Sequence, residues 1–358
     1  MYLLEKNNLE QVLEKWSQIA ELYTPQRDAG QVMLLPYDQS TFTMDYINFA
    51  FPVKEYVFSA KEALFNWTDK NGKLEVFAPE KPLKDRIYFG VRACDAYGME
   101  YMDHFYLDGY RDNIYEAKRR AATIVAVNCV VAGENCFCSS MGTGPFVKSG
   151  FDLLLTPSGD HYLIDAGTDR GRELVDVCRD LISLSDGDFS TQKDIIEEAA
   201  LDTFHKKIKA GNIAKVLEES FEDPLWDDIS TDCISCTGCT TLCPTCTCFN
   251  VVEELKSSAD GYGGCRVRYW DSCQSDSFTR NAGKHNPRSR RDRVRYRIYD
   301  KFKYIEDRFG YKGCSGCGRC IDVCPASINV VEIINKLTVK RNPDHLNEID
   351  APWKREVI

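Results

Sequence analysis

The spacing of hydrophobic positions changes character along the chain. Near the N-terminus Leu9, Val12, Leu13, Trp16, Ile19, Ala20 and Tyr23 recur at three- and four-residue intervals, which predicts an amphipathic first helix through that stretch. Short apolar runs follow. RIYFGVR (86–92), ATIVAVN (122–128) and FDLLLT (151–156) read as strands, and YLID (162–165) as one more. Residues 96–120, between the first two, read as helix interrupted by a loop. Such apolar strands alternating with helices predict an α/β region around a largely buried sheet. From Thr191 to about Glu222 the pattern is helical and polar, broken at Gly211-Asn212 and ended by Pro224. After Ile334 the chain turns polar, with Pro343 and Pro352, and reads as a loop or docking extension.

The 358 residues carry a formal charge of −10, which gives no generic attraction to nucleic acid or an anionic membrane. No run of 18 apolar residues occurs, and MYLLEKNNLEQ lacks the apolar core of a signal peptide, so a cytoplasmic chain without membrane insertion is expected. Seventeen cysteines change the picture. All but Cys94 and Cys178 fall in four groups, 129–138, 233–248, 265–273 and 314–324. Grouped cysteines in a long cytosolic chain read as metal ligands rather than disulfides.

Cys233, Cys236, Cys239 and Cys243-Pro244 follow C-x2-C-x2-C-x3-C-P, and Cys314, Cys317, Cys320 and Cys324-Pro325 repeat it. In the bacterial two-cluster ferredoxin pattern the fourth cysteine of each run serves the other cluster. The expected ligand sets are therefore Cys233, Cys236, Cys239 and Cys324 for one [4Fe–4S] cluster, and Cys314, Cys317, Cys320 and Cys243 for a second. Gly238, Gly316 and Gly318 are expected to let backbone N–H groups approach the sulfurs. A zinc pair is the competing reading, but structural zinc favours two separated C-x2-C pairs. The predicted fold is an α/β N-terminal domain (1–185), a helical connector (186–228), a helical ferredoxin-like domain with two [4Fe–4S] clusters and a large insertion (229–340), and a tail (341–358).

Cys94 and Cys129 follow predicted strands, at the strand C-terminal ends where ligands of open α/β sheets collect. Cys136 and Cys138 come soon after. These four are expected to hold a third cluster, the alternative being free core thiols. Cys178 reads as core. Cys246, Cys248, Cys265 and Cys273 are surplus to the two ferredoxin sets; Cys246, Cys248 and Cys273 serve either another metal or packing, and their role stays open. The segment 280–303 holds ten Lys or Arg against two Asp. It reads as a basic helix beside anionic clusters and a docking element rather than a nucleic-acid site. The five histidines are scattered, no nucleophile–base pair is visible, and no G-x-G-x-x-G opens a helix after a strand.

Four stretches, FGVRACDAYGMEYMDHFYL (89–107), ENCFCSSMGTGP with GFDLLL (134–155), CISCTGCTTLCPTCTCF (233–249) and CSGCGRCIDVCP (314–325), together resemble one family. RVRYWDSC (266–273) and the basic run ending in YDKFKY are similar to it as well. The family comprises the electron-transfer iron–sulfur β subunit of archaeal soluble sulfhydrogenase and its counterpart in anaerobic sulfite reductase. The resemblance implies a cytoplasmic electron-transfer subunit of an anaerobic multisubunit oxidoreductase. It would relay electrons between a catalytic subunit of hydrogenase, sulfite reductase or heterodisulfide reductase type and an FAD/NAD(P)-binding reductase subunit, with no substrate site of its own. Two rival classes are a flavin- or substrate-binding enzyme in the N-terminal domain, marked by flavin absorbance, and a zinc-stabilised binding module, marked by colourless protein.

Overall fold

Twelve strands occur among the described residues of the computed structural model, which are all except 71, 79–83, 186, 259–260, 284–287 and 342–358. In chain order they are β1 (Tyr2–Glu5), β2 (Glu21–Asp28), β3 (Gln31–Pro36), β4 (Lys61–Lys70), β5 (Lys73–Phe77), β6 (Arg86–Val91), β7 (Ala122–Val127), β8 (Leu153–Ser158), β9 (His161–Ala166), β10 (Ile182–Leu184), β11 (Phe249–Ser258) and β12 (Gly261–Trp270). Eight form one mixed sheet in the order β10-β1-β9-β8-β7-β6-β2-β3. Its centre, β2-β6-β7-β8, is parallel.

Every residue of β7 (ATIVAV) is buried, as expected for a β-branched run with helices on both faces. One face receives the helices Leu9–Ser17 and Asp169–Val177, which pack Trp16, Leu174 and Val175 against Phe89, Val125 and Leu155. The other receives Ala93–Leu107 and Asn113–Arg120, which pack Met99, Met102 and Tyr115 against Tyr88 and Ile124. Each such side chain contributes roughly 1.5–3 kcal/mol of burial. The four strands expected from the sequence are present, and 96–120 divides into two helices as expected. The first helix is shorter than its periodicity predicts. It ends at Ser17, Ile19 is exposed, and Tyr23 lies in β2, because Glu21–Tyr23 pair in parallel with Arg86–Tyr88.

The C-terminal part is helical at Leu225–Asp232, Arg290–Tyr299 and Val330–Arg341. These share a core of Leu217, Trp226, Ile298, Phe302, Ile334 and Leu337 with Phe137 from the N-terminal region. Two expectations are corrected here. The chain does not become a tail after Ile334: the helix runs to Arg341 and buries Leu337 completely, and 342–358 lie outside the described residues. Nor is the segment between the two cysteine runs simply helical. β11 and β12 form a long hairpin, and β12 pairs with β4 in a second, antiparallel sheet ordered β11-β12-β4-β5.

Arg268 of β12 fastens that sheet to the rest. It is 2% exposed, donates to Glu62 Oε1 at 2.6 Å and 3.1 Å, and ion-pairs with Asp112, which itself caps the helix Asn113–Arg120. Its guanidinium also faces the rings of Phe58, Tyr106 and Phe249. Replacing it (Arg268→Leu) leaves buried carboxylates short of a cation and is expected to cost about 3 kcal/mol. A lower unfolding midpoint of anaerobically purified protein checks this; an unchanged midpoint would mean the second sheet stands without the pair.

Candidate iron–sulfur centres

The two cysteine runs fold alike. In the first, Ser235 and Thr237 take left-handed backbone (φ 59° and 64°) before the helical turn Gly238–Thr241. In the second, Gly316 and Gly318 take the same conformation (φ 66° and 79°) before the turn Arg319–Asp322. Left-handed residues turn successive N–H groups inward, and Gly316 N donates to Cys314 Sγ at 3.3 Å. After the second run Ile328 N donates to Cys324 Sγ at 3.3 Å. Gly238 is not itself left-handed; Ser235 and Thr237 carry the turn. A Cβ on Gly238 would meet Val323 Cγ2 at 3.2 Å, so this glycine lets the two turns approach each other.

Cysteines of both runs come together. Cys233, Cys239, Cys320 and Cys324 line one cavity with Arg297, and Cys236 is exposed. Cys243, from the first run, sits among Cys314, Cys317 and Cys320 of the second. Burial pushes these three thiols up, Cys320 to about 12, and Cys243 adds to the push at each. Burial likewise raises Cys239, with Arg297 opposing and Cys233, Cys243 and Cys236 adding. Thiols this reluctant to ionise in water-free surroundings bind metal only by giving up their protons.

Cys94 begins the helix after β6, and Cys129 follows β7, so the parallel pairing of these strands sets them side by side. Burial raises the thiols of Cys94, Cys136 and Cys138, Cys136 to about 12, and Cys129 reinforces the shift in all three. Buried Arg92 lies by Cys129 and Cys94. Its Nη atoms donate to the carbonyls of Tyr46, Val127 and Asn128, while its Nε has no partner. A buried cation with an unpaired N–H beside Cys129 and Cys94 fits an anionic cluster.

This N-terminal set abuts the second run. Phe137 N donates to Gly316 O at 2.8 Å, Thr143 Oγ1 to Ser315 O at 2.8 Å, and Asn48 Nδ2 to Cys317 O at 3.1 Å. A Cβ at Gly316 or Gly318 would lie 2.5 Å from Cys138 N or 2.4 Å from Asn135 O, so glycine is required there by contact as well as by φ. The seam is locked by Asp95 and Arg319, a bidentate pair at 2.6 Å and 3.1 Å that is essentially unexposed.

Cys178 is core, as expected. Cys265 faces Asn66 across the second sheet, apart from the other thiols. Cys246 hydrogen-bonds Cys243 and, with Lys301, Arg297 and Lys54, favours the Cys243 thiolate. Cys248 lies beside Cys273. Among the described residues no three His, Cys, Asp or Glu side chains converge on a single-ion site.

The basic run behaves differently from a solvated helix. Residues 284–287 lie outside the described residues. Ser289 and Asp292 form a capping box, and the helix Arg290–Tyr299 continues through a π-helical turn at Asp300–Tyr304. Arg291 and Arg295 pair at the surface with Glu222, but Arg297 and Lys301 point inward. Arg297 Nη2 donates to Cys239 O at 2.8 Å, with its Nε unpartnered, and Lys301 Nζ donates to Thr245 O at 2.9 Å. Lys54 Nζ reaches Cys246 O at 3.0 Å from the other side. The signal is present in the sequence: Arg297 and Lys301 fall on the same stripe as Val294, Ile298 and Phe302.

Asp95→Asn should leave Arg319 buried without its counter-charge, costing about 3–5 kcal/mol. The expected outcome is a lower unfolding midpoint and iron lost first from the N-terminal set; retention of both would show that the seam's backbone hydrogen bonds suffice.

Comparison with known proteins agrees with this geometry. The 4Fe–4S dicluster domain family matches residues 232–328. The sulfhydrogenase 2 subunit beta of Pyrococcus furiosus is 33% identical over 297 residues, 82% of this chain and 85% of the relative. No solved structure gives a significant match. With its paired cysteine turns and a relative aligned over most of both chains, the protein belongs to the sulfhydrogenase beta subunit family of iron–sulfur electron-transfer proteins.

Proposed function

We propose that the chain is a three-station electron relay inside a multisubunit oxidoreductase. Its stations are the sets Cys94/Cys129/Cys136/Cys138, Cys314/Cys317/Cys320/Cys243 and Cys233/Cys236/Cys239/Cys324, each holding one [4Fe–4S] cluster. Bound there, the clusters accept and release single electrons. The chain's own residues fix the spacing, exclude water and supply N–H donors and counter-charges.

One observation carries the reading: the N-terminal cysteine loop is hydrogen-bonded directly onto the second ferredoxin-type turn. Cys136 Sγ lies 3.8 Å from Cys317 O, Cys243 bears on Cys314, and Cys324 shares a cavity with Cys233, Cys239 and Cys320. On this reading the three stations are contiguous, in the order N-terminal set, Cys317 set, Cys233 set. Exposed Cys236 puts the last near the surface, where a partner can dock.

By its similarity to a sulfhydrogenase beta subunit, the chain would link an FAD/NAD(P)-binding reductase subunit to a catalytic subunit of hydrogenase type. A sulfite reductase or heterodisulfide reductase subunit would be served by the same relay. Low-potential donors such as NAD(P)H imply low cluster potentials. No helix among the described residues is long and apolar enough to cross a membrane.

Iron analysis and reduced-state EPR of the anaerobically purified chain test this. About twelve irons per chain are expected. Cys129→Ser should remove about four and one signal, and Cys324→Ser should disturb the centre of the first run, not its own. About eight irons in the wild type, unchanged by Cys129→Ser, would reduce the relay to two stations.

A further inference from the structure

The three stations are not set in equal electrostatic surroundings. Around Cys314, Cys317, Cys320 and Cys243 lie four buried or inward-facing cations. Lys54 and Lys301 are 3% and 5% exposed and face Cys243 and Cys246. Arg297 faces Cys243, Cys320 and Cys239, and Arg319 faces Cys317 and Cys94. Two carboxylates offset part of this: Asp95 pairs with Arg319, and Asp300 lies 4.0 Å from Lys301. Among the described residues no carboxylate ion-pairs with Lys54 or Arg297, so two cations remain for the cluster itself.

The other stations are poorer. The Cys233 set shares Arg297 alone, although Arg297 bears most on Cys239, bonds Cys239 O and lines a cavity with Cys233, Cys239 and Cys324. The N-terminal set has Arg92, but Asp322 bears on Cys136 from the opposite side. Lys54 deepens the contrast. Its ammonium lies 4.3 Å from the Trp270 ring and bonds one backbone carbonyl, an arrangement that leaves its charge directed at the thiols.

We propose that Lys54, Lys301 and Arg297 make the Cys314/Cys317/Cys320/Cys243 cluster the station of highest reduction potential, so that electrons collect in the middle of the relay. This rests on the three-station reading above. One electron entering this station comes from a neighbour that is oxidised by one, and it adds one negative charge among the four cysteines. Fixed cations nearby lower the free energy of that added charge and raise the potential, the more so because burial leaves little water to screen them. No proton need accompany the electron, since the compensating charges are already in place. A middle station that fills first can hold an electron while either neighbour exchanges with a partner subunit.

Lys54→Met is the sharpest test, because Lys54 bonds Cys246 O, bears on Cys243 of this station and lies outside the four ligands. EPR-monitored redox titration of the full, anaerobically loaded chain assigns the centre by the signal lost in Cys320→Ser. In the wild type that centre should be the first to reduce as the potential falls. In Lys54→Met, and in Arg297→Gln, its reduced-to-oxidised ratio at fixed potential should fall about tenfold, equivalent to 59 mV for one electron. Arg291→Gln, which removes a surface charge from the same helix, should leave it unchanged, and Lys54→Arg should preserve it. If this centre is not the first to reduce, or Lys54→Met with full iron leaves it unmoved, the proposal is overturned. If Lys54→Met loses iron, the wild-type order and Lys54→Arg still decide. If Cys320→Ser removes no signal, the ligand assignment fails rather than the ranking.

Discussion

The contact on which the arrangement depends is the buried pair between Asp95 and Arg319. Asp95 follows Cys94 on the helix that leaves β6; Arg319 lies between Cys317 and Cys320. Their pairing fixes the sheet's cysteine edge against the second ferredoxin-type turn. Arg319 also donates to Phe49 O at 2.7 Å, and Asp95 accepts from Val53 N at 3.3 Å, so each charge has a further backbone partner. A buried ion pair of this kind adds little net stability, but it tolerates only one geometry, because misregistry leaves two charges stranded in the interior. Around it the two glycines at 316 and 318 allow backbone-on-backbone approach that any side chain would block. The distance between the N-terminal cysteine set and the second cysteine run is thereby set by a carboxylate, a guanidinium and the absence of two methyl groups.

How much of this is legible in the sequence depends on the range over which each feature acts. The ferredoxin-type spacing is local, and the crossing of Cys243 and Cys324 follows from it, so those sets can be read directly. The adjacency of Cys94 and Cys129 follows from strand ends alone, because β6 and β7 are continuous apolar runs. The second sheet is not legible. β4 (KEALFNWTDK) is charged and half-buried, β11 (FNVVEELKSS) is charged and largely exposed, and the pairing of β4 with β12 is set across some 200 residues. Periodicity misplaces the end of the first helix for a related reason: Tyr23 keeps helical spacing but is claimed by the sheet.

The basic run shows a subtler failure. Counting its charges points to a surface, and Arg291 and Arg295 do pair there with Glu222 and Asp227. Composition averages over the faces of a helix, whereas function sits on one of them. Arg297 and Lys301 occupy the apolar stripe, where a cation is tolerated only if an anion meets it. Their position is therefore a statement about the cofactor, written in residues that never touch it covalently.

The buried cations also bear on how the protein folds. Without clusters, Arg297 Nε and Arg92 Nε would sit in the interior without partners, beside thiols such as Cys239 and Cys94 that burial pushes toward the protonated form. Each uncompensated charge opposes closure of the core formed by Trp226, Ile298 and Ile334. Cluster insertion removes the thiol protons and supplies the missing negative charge in one step, so binding free energy becomes folding free energy. On the relay proposed above, the same cations that would raise the potential of the middle station would also make closure of the helical core depend on its being filled. A chain built this way does not present a finished relay lacking iron; closure and redox function arise from the same charge balance.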